Sequence, residues 1–406
     1  MAEAAREAWI TGVGIVSCLG EGSQAHWQKL MEAHPGAVTA TFAPFIVHPL
    51  APINFDGQIP KKEQRQMENW QRIGTYAAGL ALDSAGVKGK PEILSHMDMI
   101  VAAGGGERDL AVDSTILSGM PHAANPAAFL NERLMSDLRP TLFLAQLSNL
   151  LAGNISIVHG VTGSSRTFMG EESSGVDAVR IALSRIAAGQ SDIALVGGAH
   201  NGERPDLLML YEFGKFNLKD RYAPVWERGA NGGFALGSLG AFLVIEAREH
   251  AEARGAKPLA RLTAVLSDRS SRQPGTVTAA LTRLWDKIKD KVKTGHAAVL
   301  SGATGAGPAT AEERAFLIAH DDLAVRATGS YLGHGLEPQF PMNVALATVA
   351  LGHGSLFPPC DSTGLERPMS GELSQGLLEQ GLLEQVLVTS VGHWRGEALA
   401  LLERVG

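Results

Sequence analysis

The sequence predicts an α/β protein made of two similar βα halves, with helices covering the sheets. Three observations carry this. Short apolar runs alternate with helix-period segments in two comparable stretches, one before and one after Pro258. Glycine takes 47 of the 406 positions and is dispersed beside Ala-rich stretches, a composition that suits closely packed βα units rather than a disordered chain. Hydrophobic residues make up 45% of the chain, enough to bury a large core.

In chain order, Trp9–Val16 is a buried strand that ends in a turn at Gly20. Arg72–Ala85 is an Ala/Leu-rich helix closed by Gly86. Met99–Ala103 is a strand running into Gly104-Gly-Gly106, and Leu110–Asn131 reads as an irregular surface excursion. Ser173 and Ser174 are placed to cap a helix that runs to about Ala188 and stops at Gly189. Ile193–Val196 is a buried strand ending at Gly197-Gly198, and further strands follow at Gly233–Leu236 and Ala241–Ile245. The second series opens with a strand at Leu259–Val265, after which Val277, Leu281, Leu284, Trp285, Ile288 and Val292 share one helical face. Ala297–Leu300 is a strand, Ala309–Ala319 a helix and Val344–Leu351 part of a buried helix. Gln385–Thr389 and Glu397–Leu402 close the chain as a hairpin.

Lys and Arg number 35 against 42 acidic residues, a net charge of −7, so there is no overall basic field to draw nucleic acid or an anionic membrane. No apolar run reaches the ~18–20 residues of a transmembrane helix, and the first residues lack the form of a signal peptide. Two cysteines, Cys18 and Cys360, cannot build a disulfide framework or a multi-Cys metal site, so a reducing, cytoplasmic compartment is expected. Generic motifs return little. Gly104-Gly-Gly106 lacks the dinucleotide spacing, there is no Walker loop, and no Cys/His metal cluster is legible. His159, His200 and His296 are scattered and read as structural.

Four longer stretches say more: Thr11-Gly-Val-Gly-Ile-Val-Ser-Cys-Leu-Gly20, Gly189-Gln-Ser-Asp-Ile-Ala-Leu-Val-Gly-Gly-Ala199, Gly233-Phe-Ala-Leu-Gly-Ser-Leu-Gly-Ala241 and Glu249-His-Ala-Glu-Ala-Arg-Gly-Ala256. In this order they resemble motifs of the β-ketoacyl-acyl-carrier-protein synthases, the elongating branch of the thiolase fold. The resemblance implies a layered α-β-α-β-α arrangement of two halves, 1–255 and 256–406, and a dimer. It implies fatty-acid or polyketide synthesis, with the phosphopantetheine arm supplied by an acyl carrier protein and no cofactor bound.

Such synthases carry the acyl chain on a cysteine at a helix N-terminus, where the dipole favours the thiolate. Two histidines and backbone N–H donors assist. Placed by its flanking motifs, the nucleophile position falls on Glu172, in Glu172-Ser-Ser-Gly175. The first histidine position falls on Gly302, with the structural Glu kept as Glu313, and the second is retained as His334, though its Lys partner becomes Gly329. The gating Phe, whose N–H belongs to the oxyanion hole, is replaced by His393, and Trp394 and Arg395 replace two glycines. Cys18 and Cys360 read as ordinary thiols. Pro60-Lys-Lys-Glu-Gln-Arg-Gln-Met67 resembles the basic carrier-docking segment, which assigns Lys61, Lys62 and Arg65 to an acidic carrier helix or to a solvated surface.

Loss of the nucleophile, one His and the Lys removes condensation as the resemblance defines it. A subunit of the chain-length-factor type is then expected, in a heterodimer with an active ketosynthase or, alone, a homodimer. In such a subunit Glu172 fills an unused pocket, and Glu172→Gln leaves folding unchanged. The alternative is an acyl-carrier-processing enzyme (decarboxylase, hydrolase or atypical condensing acyltransferase) using Glu172 with His334 and His393. Ser164–Met169 is expected as an edge strand that pairs across the dimer axis.

Overall fold

Two sets of five strands carry the same pairing pattern in the computed structural model, which describes residues 5–140, 142, 146–229, 232–367 and 383–406. The first set is β1 (Ala8–Ser17), β2 (Asp98–Ala102), β3 (Ser165–Phe168), β4 (Ile193–His200) and β5 (Leu239–Ala247), in the order β3-β2-β4-β5-β1. Strand β2 is parallel to β3 and β4, whereas β4–β5 and β5–β1 are antiparallel. The second set repeats this with β6 (Ala260–Asp268), β7 (Ala297–Ser301), β8 (Ala324–Ala327), β9 (Gln385–Val391) and β10 (Glu397–Glu403), ordered β8-β7-β9-β10-β6. Its parallel pairs are β7–β8 and β7–β9, its antiparallel pairs β9–β10 and β10–β6. Trp9 and Ile10 pair with Arg261 and Ala260, which joins the two sets along one path.

Among the helices of the described residues are α1 (Asn69–Ser84), α2 (Leu150–His159), α3 (Glu172–Ala187), α4 (Pro205–Phe213), α5 (Thr276–Trp285), α6 (Gly307–Ile318) and α7 (Gln339–His353). Helices α1 and α2 pack on the first set alone, and α5 and α6 on the second alone. Helices α3 and α7 touch strands of both sets, so the order is α-β-α-β-α, as expected. The sequence of α7 explains its place: it is apolar nearly all round and buried from Gln339 to Thr348, which suits a helix between two sheets. Its Leu346 joins Ile10, Ile15 and Val179 in the central core, and separate cores lie beneath α1 and beneath α5 and α6. The glycines of the opening motif have a packing reason. A Cβ at Gly14 would meet the Ala77 carbonyl at 2.1 Å, so only glycine lets α1 lie this close to β1.

Three expectations need correction. Leu110–Asn131 is not irregular: helices span Leu110–Gly119 and Pro126–Ser136, with Asp109 and Asn125 accepting from the Val112 and Ala128 N–H groups. Of their residues only Val112 and Ile116 are buried, while Leu117 and Met135 stay exposed, so the apolar pattern is too short for periodicity to mark them. Gly233–Leu236 makes only short pairings, Phe234 with Asn217 and Leu236 with Val47 and His334, and the strand itself begins at Leu239. Ser173 and Ser174 lie inside the first turn of α3, not at its cap, and their hydroxyls donate back to Gly170 O and Glu171 O. Strand β3 ends the sheet path and pairs only with β2. Among the described residues no helix is long and apolar enough to cross a membrane.

Candidate active site

Helix α3 starts after a sharp turn in which Gly170 has φ 135° and Glu171, a non-glycine residue, φ 57°. Such backbone is costly and is held here by the two serine hydroxyls behind it. One turn on, a Cβ at Gly175 would meet the Glu337 carbonyl at 2.2 Å, so glycine allows α3 to approach the segment that carries His334. His334 is fixed by its own backbone, its N–H donating to Ala235 O at 2.7 Å and its carbonyl accepting from Gly237 N–H at 2.9 Å. His393 sits in the Gly392–Gly396 turn between β9 and β10, closed by Gly392 N–H to Gly396 O at 2.9 Å. Arg272 braces that turn through Gly392 O and an ion pair with Glu397.

These three elements bring Glu172, His334 and His393 together. Glu172 Oε1 lies 2.8 Å from His334 Nε2, 2.9 Å from His393 Nδ1 and 3.2 Å from the His393 backbone nitrogen. A carboxylate only accepts, so each imidazole nitrogen that faces it carries the proton. All three side chains are buried. Burial opposes ionisation of Glu172, but the His393 charge and the imidazole hydrogen bonds outweigh it and hold the carboxyl well below its usual range. Burial likewise opposes the His393 charge, and Glu172 more than restores it, so His393 is raised. Burial lowers His334, against the opposing pull of Glu172. The rings of Phe216, Tyr211 and Phe234 surround His393 at 4.9, 5.4 and 5.4 Å between centroids.

Gly302 adds no chemistry. Its N–H donates to Thr389 Oγ1 at 3.2 Å, and a Cβ there would meet the Thr389 carbonyl at 2.7 Å. Neighbouring Glu313 is fully buried and accepts from Ser301 Oγ at 2.7 Å and Thr389 Oγ1 at 2.5 Å, tying α6 to β7 and β9. Burial pushes its carboxyl up to about 7, against 4.5 for a free one. A carboxyl raised on folding stabilises fully below its unfolded pKa, and that contribution is lost as pH rises through the folded value. Stability is therefore expected to fall by roughly 3 kcal/mol between about pH 4.5 and pH 7.5 on account of Glu313. Urea midpoints of wild type and Glu313→Gln across that range check this: the difference between the two slopes isolates Glu313 from Glu366, raised to about 7 by its own burial, and from His26, His48 and His159, lowered to about 4 and acting in the opposite direction.

A cavity of 470 Å³ lies beside the cluster, walled by Trp70, Glu171, His200, Tyr211, Glu337 and Trp394. His200 Nδ1 is 3.6 Å from Glu337 Oε2, so this histidine belongs to the cavity wall. Sequence reading missed it, along with Glu171, Tyr211, Phe216, Phe234 and Arg272. They come from well-separated segments whose spacing carries no signal. His159 is structural as read, its Nε2 2.8 Å from Thr75 O, and His296 lies at the surface 3.9 Å from Glu384. Burial pushes the Cys18 and Cys360 thiols up to about 12, so neither supplies a ready thiolate. Lys61 and Lys62 are 80% and 81% exposed and pair at 3.3 Å with Asp56 and Glu63, and Arg65 is exposed beside them. This short basic segment precedes α1, whose Trp70 reaches the cavity.

Residues 5–251 match the family model described as "Beta-ketoacyl synthase, N-terminal domain". The chain is 27% identical over 270 residues to 3-oxoacyl-[acyl-carrier-protein] synthase 2 of Vibrio harveyi, an alignment covering 63% of this chain and 61% of that protein. It is 25% identical over 413 residues to the actinorhodin polyketide putative beta-ketoacyl synthase 2 of Streptomyces coelicolor, covering 97% and 98%. Among solved structures, the ishigamide ketosynthase/chain length factor superposes with TM-score 0.78 at 19% identity, over 99% of this chain and 100% of that one. A beta-ketoacyl synthase from Burkholderia phymatum gives TM-score 0.79 at 19% identity, over 99% and 100%. At those identities the structures speak for the fold alone.

Proposed function

The chain belongs to the β-ketoacyl synthase family, and from that premise we propose a member of fatty-acid or polyketide synthesis that does not condense and serves as the chain-length-factor-type partner of an active synthase. One observation carries the reading. The carboxylate at the nucleophile position holds in a single oxygen both imidazoles and the His393 N–H, the donor that the family motif assigns to an oxyanion. Nucleophile, base and oxyanion donor are thus spent on one another. The same geometry argues against Glu172 as a general base, because the donors on Oε1 hold the carboxyl well below its usual range and leave it a weak proton acceptor. The match over 97% of this chain to the actinorhodin polyketide putative beta-ketoacyl synthase 2 supports a place in polyketide synthesis.

Carrier protein docks, on this reading, at Lys61, Lys62 and Arg65, before the helix whose Trp70 lines the cavity. Exposed charges of this kind are each worth up to ~1 kcal/mol. Lys62→Glu with Arg65→Glu is expected to weaken carrier binding about tenfold at low salt and leave the partner complex intact. The experiment is co-expression with each condensing synthase of the same cell, followed by mass measurement of the complex and carrier titration. A 1:1 complex whose elongation depends on both chains supports the proposal. Homodimers alone with every such synthase, together with no carrier binding at low salt, would remove it.

A further inference from the structure

Two residues at the site depart from the family motif in a way that supplies new ligand atoms: Glu172 stands for the cysteine and His393 for the gating phenylalanine, on either side of retained His334. Each of the three offers one nitrogen or oxygen, all these atoms lie within 4.8 Å of one another, and all three residues are buried. One carboxylate with two imidazoles suits zinc and its divalent first-row neighbours. Magnesium and calcium prefer all-oxygen shells, and copper(I) prefers sulfur. The ligands sit on three independently braced elements: the turn into α3, the His334 segment pinned to Ala235 and Gly237, and the Arg272-clamped turn. Behind His393, Glu171 Oε1 is 3.9 Å from Nε2, the nitrogen turned away from Glu172, as a carboxylate behind a ligand imidazole would be. Chain neighbours Glu171 and Trp394, with Glu337, line the 470 Å³ cavity, so the cluster borders a space that a small ligand can enter.

We propose that Glu172, His334 and His393 bind one divalent transition-metal ion, with zinc the expected occupant. With bonds of about 2.0–2.1 Å, ligand atoms around a tetrahedral zinc stand roughly 3.3 Å apart. The present 2.8 and 2.9 Å contacts need to open by about half an ångström. As the ion enters, Nε2 of His334 and Nδ1 of His393 give up the protons they now donate to Glu172, each ring stays a neutral imidazole with one proton on its other nitrogen, any excess proton goes to solvent, and two nitrogen–metal bonds and one oxygen–metal bond form. The site would be held by the ion instead of by the hydrogen bonds, and it does not depend on which synthase the chain partners.

The test uses full-length protein without a metal-binding tag, stripped with EDTA and then titrated with zinc sulfate or cobalt(II) chloride. About one zinc per chain by elemental analysis, a rise in melting temperature, and a visible cobalt(II) absorption of a four- or five-coordinate nitrogen/oxygen site are expected. His393→Phe and Glu172→Gln should each weaken binding at least tenfold, with circular dichroism confirming that they fold. Should either variant fail to fold, the wild-type stoichiometry and cobalt spectrum decide the question. Less than about a tenth of an equivalent of zinc bound, with no cobalt band, overturns the proposal. So does undiminished binding by both folded variants.

Discussion

Incubated with acyl-loaded carrier protein, this chain is expected to keep the mass of the free protein, with no acyl adduct on any residue and no elongation. The reason lies in three places at once. Glu172 is the residue at the head of α3, and an acyl group on a carboxylate would be a labile anhydride rather than a thioester. Cys18 and Cys360, pushed up to about 12 by burial, hold a thiolate fraction on the order of 10⁻⁵–10⁻⁴ at pH 7.5. Gly302 supplies no imidazole. Restoring only the nucleophile is therefore not enough: Glu172→Cys should remain on the order of 10³-fold or more below a complete synthase, since such residues act as a unit. Intact-protein mass spectrometry and a radiolabelled elongation assay read both results. A stable adduct on the wild-type chain, or elongation restored by Glu172→Cys alone, would falsify the non-condensing assignment.

Glu172→Ala is expected to cost about 3–5 kcal/mol of folding stability, the scale for removing one partner of a buried ion pair. Truncation leaves the His393 Nδ1 and backbone N–H groups, buried beside Phe216, without the oxygen they donate to. Glu172→Gln keeps the shape and one carbonyl oxygen but not the charge, and about 1–3 kcal/mol is expected. This replaces the expectation, formed on the sequence, that Glu172→Gln would be neutral. That expectation took the carboxylate for one without good hydrogen bonds, whereas its Oε1 has three. Urea titration of EDTA-treated protein isolates this pair from any bound metal. Midpoints equal to wild type for both variants would show that the cluster does not hold the fold.

The sequence by itself determined the α/β class, and its resemblance to the β-ketoacyl synthases implied the layered order. Strand and helix periods, and glycines where α1 and α3 meet neighbouring backbone at Gly14 and Gly175, are local consequences of which side chains are apolar and which positions admit no Cβ. It also placed Glu172 and Gly302 at the expected nucleophile and histidine positions, by counting along the chain from flanking motifs. Counting could not say what Glu172 touches. His334 is 162 residues away and His393 is 221, and no periodicity links them. Their meeting depends on α3 lying between two sheets, on a backbone turn strained at Glu171, and on Arg272 clamping the turn that carries His393. Only the tertiary structure decided that Glu172 and His393 hold each other, because a buried carboxylate takes whichever donors the packed fold delivers to it.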